Sequence, residues 1–300
     1  MTAKSIETAA GVVEIETQGS GLPVVVLHGS PGGIDGARAM SQFLLHDSFQ
    51  VICLSRPGYL GTPLDAKDAS IDREADLLAA VLDTLEISRA GVLAWSGGGP
   101  AAYRFAVRHP SRVSALVAIA AVSSCWTTRR PTMLERFMFG TSIGERIVAH
   151  LTRAAPEHVV EGALENEGSL RRDEVGSLTQ QVMADAKQRQ LVLDIVLTVN
   201  TGGKRQAGWQ NDVRNFARIT SLELERVQCP VLLIHGDADT DATIEHSRAA
   251  HARLPHSSLV VMDRGTHLAF YAHPEATKVQ ASARSWLSEP IAKADGPERL

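Results

Sequence analysis

Three residues, Ser96, Asp239 and His267, could together perform nucleophilic catalysis. A serine hydroxyl is a poor nucleophile alone; it needs an imidazole to take its proton and a carboxylate to orient that imidazole. Ser96 stands in Gly91-Val92-Leu93-Ala94-Trp95-Ser96-Gly97-Gly98-Gly99-Pro100, where an apolar run gives way to glycines that can open a helix. A sharp strand-to-helix bend at that point would lift the hydroxyl off the sheet, provided the neighbours are small. Ala94 and Gly98 meet that requirement, although the strict G-x-S-x-G pattern would have glycine at position 94. A glycine-rich phosphate loop is the competing reading, but the segment has neither G-x-x-x-x-G-K-[ST] nor G-x-G-x-x-G spacing.

The acid and base candidates follow later apolar runs. His235-Gly236-Asp237-Ala238-Asp239 comes after Val231 to Ile234, and Asp263-Arg264-Gly265-Thr266-His267 comes after Leu259 to Met262. Both Asp237 and Asp239 could orient the base, with Asp241 close behind. Asp239 is preferred because the chain has by then cleared the strand end far enough to reach the histidine. The order serine, acid, histidine fits a nucleophile on a strand-to-helix turn. His235 reads as a strand-end turn residue, while His109, His246, His251, His256 and His273 read as solvated. His235, Asp237 and Asp239 alternate like metal ligands, yet no Cys or His cluster completes a site, so no metal is assigned.

An acyl-transfer site also needs donors for the oxyanion. The Gly97 amide, at a helix start, is one candidate. The other is the Ser30 amide in Leu27-His28-Gly29-Ser30-Pro31-Gly32-Gly33, a loop that otherwise reads as a plain turn. Losing one such donor typically costs ~10²- to 10³-fold in rate. Trp95 and His28 are candidate substrate contacts. Trp95, Trp126, Phe137, Met138 and Phe139 could accommodate an apolar acyl group, with core packing as the alternative.

These loops must be held by strands and helices. Val24 to Leu27, Gln50 to Leu54, Gly91 to Trp95, Val113 to Ile119, Val231 to Ile234 and Leu259 to Met262 are apolar runs suited to strands buried on both faces. Val12 to Glu16 alternates and predicts an antiparallel edge strand. Helical spacing marks Ile71 to Leu85, and a second helix should run from just after Ser96 to before Pro110. The alternation of strands and helices breaks after Val122 and resumes at Pro230. That predicts a core of residues 1–122 and 229–300 with a helical insertion, a cap, over 123–228. The residues from Pro290 onward read as a polar tail.

The whole chain has 300 residues, 44% of them hydrophobic and 21% charged, with a formal net charge of −4. This is the composition of a globular protein with a sizeable core, and the alternation of strands and helices makes its class α/β. There is no basic stripe for nucleic acid. Cys53, Cys125 and Cys229 are too scattered for a disulfide framework or a zinc site and are expected to be reduced and buried. Neither a secretory pattern at the N-terminus nor an apolar run near ~18 residues is visible, which predicts a cytoplasmic chain without a membrane span.

Taken in order, His28-Gly29-Ser30-Pro31-Gly32, Trp95-Ser96-Gly97-Gly98-Gly99, His235-Gly236 with Asp239, and Gly265-Thr266-His267 resemble the α/β-hydrolase fold family, in its serine-nucleophile, esterase- or lipase-like branch. Ser55-Arg56-Pro57-Gly58-Tyr59-Leu60-Gly61-Thr62-Pro63 is similar to the loop after its fourth strand, with Ser55 in place of the usual acid. Thr240-Asp241-Ala242 departs from the Val-Pro turn of many members. The resemblance implies a mostly parallel eight-stranded sheet, a helical cap after strand six and no cofactor. It further implies a small ester-like substrate cleaved through an acyl-enzyme. A serine at the bend argues against halide removal or epoxide opening. Carbon–carbon hydrolysis, haloperoxidase or acyl-transfer chemistry on the same triad, and a receptor that binds without turnover, are the rival readings.

Overall fold

The computed structural model describes residues 3–45 and 49–294. Its centre is an eight-stranded sheet in the order β1-β2-β4-β3-β5-β6-β7-β8. The strands are β1 (Lys4–Thr8), β2 (Gly11–Gly19), β3 (Leu22–Leu27), β4 (Phe49–Leu54), β5 (Ala90–Trp95), β6 (Val113–Ile119), β7 (Val231–Gly236) and β8 (Ser257–Met262). β1–β2 and β2–β4 are antiparallel and every later pair is parallel. The parallel strands are joined by helices α1 (Ile34–Met40), α2 (Ile71–Thr84), α3 (Gly99–Arg108) and α10 (Glu245–His251), and α11 (Ala276–Ala294) closes the chain. This is the fold class the sequence predicts.

Helices on both sides bury both faces of the sheet, which is why the central strands are continuously apolar. Val25, Leu27, Val92 and Ala94 pack with α2 and α3 on one face. Val24, Val26, Leu93 and Trp95, the alternate positions, pack with α1 and α11 on the other. Local chemistry sets the helix ends. Ser70 Oγ accepts from the Arg73 amide at 3.1 Å and acidic Asp72 and Glu74 follow in the first turn of α2. α3 starts with Pro100 in its first turn and ends before Pro110.

Between β6 and β7 lie α4 (Met133–Gly140), α5 (Ser142–Ala154), α6 (Pro156–Asn166), α7 (Arg172–Ala184), α8 (Ala186–Val196) and α9 (Gln206–Phe216). The apolar run at residues 191–196 lies in α8.

Three expectations are corrected. Val12 to Glu16 lies within β2 but is not at the edge, because β1 pairs outside it. Lys4–Thr8 has a single apolar residue, Ile6, and most of its side chains face solvent, so it carries no burial pattern to read. The polar tail begins later than Pro290, since α11 continues to Ala294; residues 295–300 fall outside the described residues, as do Met1 and Thr2. Cys53 and Cys229 are buried but Cys125 is exposed, on the irregular segment leading into α4. Among the described residues no helix is long and apolar enough to cross a membrane.

Candidate active site

Ser96 sits where the sequence places it, between β5 and α3, with φ of 53°. A left-handed backbone at a residue with a Cβ is strained and persists only where its surroundings enforce it. They do so here through tight packing of glycines. A Cβ on Gly98 would lie 2.6 Å from the Leu27 carbonyl oxygen, and one on Gly99 would lie 2.6 Å from that of Val122. The Val122 amide donates to the Ser96 carbonyl at 3.0 Å, tying the bend to the end of β6. Ser96 is 5% exposed.

The loop after β3 packs directly on this bend. A Cβ on Gly97 would overlap Ser30 Oγ and lie 2.6 Å from Ser30 Cβ, so the two expected amide donors belong to adjacent backbones. The loop is held by a buried ionic network that sequence reading missed. Arg56, 1% exposed, is bidentate to Glu74 (2.7 and 3.2 Å) and to Asp212 (2.9 and 3.0 Å), and also donates to Ser30 Oγ at 3.0 Å. Ser30 Oγ and Tyr59 Oη both donate to Asp212 Oδ2, the latter at 2.6 Å. Asp212 comes from α9, so the helical insertion helps to fix this loop. The same loop disposes of His28 as a substrate contact. It is 1% exposed, its Nε2 accepts from the Arg56 amide at 3.0 Å, and its Nδ1 lies 2.7 Å from the Gly29 carbonyl oxygen, so both nitrogens are occupied within the fold.

Asp239 and His267 meet across the ends of β7 and β8. Asp239 Oδ2 accepts from His267 Nδ1 at 2.7 Å, while its Oδ1 accepts from the amides of Asp241 (2.9 Å) and Ala242 (3.1 Å). Asp237 is exposed and takes no part. His235, read as a turn residue, is instead a buried support. Its Nε2 lies 2.6 Å from the Ala242 carbonyl oxygen and 3.1 Å from Asp239 Oδ2, and its Nδ1 lies 2.7 Å from Ser247 Oγ. Burial pushes the Asp239 carboxyl upward, but the charges and hydrogen bonds of His267 and His235 outweigh it and hold the group at about 2. His246 and His273, expected to be solvated, are buried and hydrogen-bonded. His246 lies on α10, where nothing local distinguishes a residue facing the core from one facing water, and His273 lies in the bend before α11.

The far side of His267 is acidic. Asp241 Oδ2 lies 3.6 Å from Nε2, and a carboxylate oxygen of Glu167, one of Asp241 and a ring nitrogen of His267 all lie within 4.8 Å of one another. Burial depresses the imidazole, yet Asp239, Asp241 and Glu167 together raise it to about 10. Burial, helped by the charges of Asp241 and Asp239, pushes Glu167 up to about 7 against the pull of His267 and Arg129. Glu167 belongs to the turn after α6, and this turn is stitched to the loops after β7 and β8. Gly168 forms a β-bridge with Asp239, the Ser169 amide donates to Ala238 (2.8 Å), and the His267 amide donates to Glu167 (2.9 Å). Trp95 closes the group, its ring centroid 5.3 Å from that of His267. Among the described residues no hydrogen bond joins Ser96 Oγ to His267. Of the other apolar candidates, Trp126 packs on Phe216 and Trp209, whereas Phe137 is 42% exposed on α4. A concavity of about 460 Å³ lies elsewhere, lined by Thr8, Pro57, Asp65, Arg73 and Asn211 among others, and contains none of the three central residues.

A strained serine at a strand-to-helix bend and an Asp–His pair at later strand ends, on this sheet, define a hydrolase architecture. Residues 23–274 match the alpha/beta hydrolase fold, and the chain belongs to that family. An alpha/beta hydrolase fold protein from Nakamurella multipartita superposes with a TM-score of 0.93 at 42% identity, over 95% of this chain and 99% of that one. The pimeloyl-[acyl-carrier protein] methyl ester esterase of Chromobacterium violaceum is 29% identical over 87% of this chain and 93% of its own. The poly(3-hydroxyalkanoate) depolymerase of Ectopseudomonas oleovorans is 28% identical over 77% and 73%.

Proposed function

We propose that this hydrolase cleaves small carboxylic esters through Ser96, His267 and Asp239. The observation that carries the reading is the buried 2.7 Å contact from Asp239 to His267 Nδ1, which leaves Nε2, without a hydrogen bond among the described residues, as the nitrogen able to act as base, with the ring against Trp95. Nε2 takes the Ser96 proton as Oγ attacks the carbonyl carbon. The developing oxyanion is held by the Ser30 and Gly97 amides, and the proton passes to the departing alcohol. Water then attacks the acyl-enzyme with Nε2 again as base, releasing the acid and restoring the serine. The Ser96–Nε2 hydrogen bond forms as the acyl group seats, as catalytic bonds commonly tighten only in the substrate complex.

Trp95 lines the acyl side, and the insertion over residues 123–228 acts as the cap that selects substrate. The esterase and depolymerase relatives support ester chemistry over the rival uses of the same triad. Ser96→Ala is expected to lower p-nitrophenyl acetate hydrolysis by ~10⁴-fold or more. Activity within tenfold of wild type would rule out Ser96 as the nucleophile.

A further inference from the structure

We infer that Glu167 and Asp241 form a cation-binding subsite beside the nucleophile, matched to an ester that carries an ammonium group close to its scissile carbonyl. The inference rests on the Ser96 reading and names the substrate class that reading leaves open.

Two observations carry it. First, the acidic groups are held in place rather than loosely gathered. The Gly168–Asp239 bridge and the hydrogen bonds from Ser169 and His267 fix the turn bearing Glu167 against the catalytic loops. Secondly, Glu167 Oε2 is buried and has no hydrogen-bond partner among the described residues. A buried acceptor without a donor is costly, and an arriving N–H would relieve that cost. The neighbouring protein cations do not supply one: His267, whose charge reaches both carboxyls, makes no hydrogen bond to Glu167 Oε2 among the described residues. Arg129, whose charge reaches both carboxyls, is paired with Glu135 at Nη1–Oε2 2.9 Å. The Asp241 side chain is 42% exposed, so the cluster opens to solvent on one side.

An ammonium group offers three donors and a compact charge, which suits two carboxylates set at this spacing. Its arrival also serves the reaction. The surrounding carboxyls favour a protonated His267, which cannot act as a base. A bound ammonium opposes that field and releases Nε2 to accept the Ser96 proton, so the base becomes competent when the matching substrate is seated.

The test compares L-alanine methyl ester with methyl isobutyrate, in which a methyl group replaces the ammonium. Turnover is followed at pH 7, where most of the α-amino groups, with an ordinary pKa of about 7.7–8.0, are protonated and a substantial share of Glu167, held up at about 7, is ionised. Wild type should favour the ammonium ester by about tenfold or more in kcat/KM. In Glu167→Gln and Asp241→Asn the preference should vanish while the neutral ester's kcat/KM rises. Wild type turning over both esters equally, or both esters falling alike in the variants, would overturn the subsite and leave the esterase reading standing. Calorimetric titration of Ser96→Ala with L-alaninamide separates the two ideas without turnover. Binding that Glu167→Gln abolishes supports the subsite, and absence of binding overturns it. Zn²⁺ binding to the cluster with no ammonium preference would also overturn it.

Discussion

Asp239 serves two imidazoles at once, and the asymmetry between them separates chemistry from support. His267 takes the shorter contact and leaves Nε2 without a hydrogen bond among the described residues; His235 spends both nitrogens on Asp239, Ala242 and Ser247. A pH prediction follows from the charges facing His267: Asp239 and Asp241 on the loop after β7, and Glu167 from the insertion. Because they hold the imidazole up at about 10, kcat/KM for a neutral ester should climb as pH rises toward that value. Asp241→Asn removes one negative charge and should move this acidic limb to lower pH. A wild-type limb centred near the free-histidine value of about 6.5 would contradict the proposed field. The places of Ser96, Asp239 and His267 at strand ends were legible in sequence because each follows an apolar run. His235 was not, since its role depends on the chain curling back within the loop. Glu167 was not either, because it lies in a stretch with neither strand pattern nor motif.

At the scale of elements, the central strands were readable because burial on both faces removes polar residues from them. β1, with one apolar side chain, left no such trace. The Arg56 network was invisible for another reason: Asp212 lies 156 residues away, and no local pattern announces a pairing of that span. Its energetic consequence is testable. Arg56→Met would leave the carboxyls of Glu74 and Asp212 buried without their cation, at a cost of about 3–5 kcal/mol. Urea denaturation should therefore show a large fall in midpoint. A change below about 1 kcal/mol would show that the two acids do not depend on Arg56. Since Asp212 stands on α9 and Ser30 in the loop after β3, the same variant should also reduce kcat by loosening an oxyanion donor.

Across the whole molecule, the two apolar layers flanking the sheet enclose Cys53 and Cys229, and burial pushes their thiols up to about 11 and about 12. Cys125 is left outside these layers. A thiol reagent such as Ellman's should accordingly titrate one thiol in the folded protein and three after denaturation, and rapid native reaction of more than one would mean that a core face opens readily. The backbone bridge between Gly168 and Asp239 has a wider consequence. A segment that lies outside the α/β repeat is part of the ladder holding Asp239, so under the proposed function choosing a substrate and keeping the reaction centre in register would be mechanically the same act. Transplanting this insertion into a cousin, or replacing it with a cousin's, would alter reactivity along with taste.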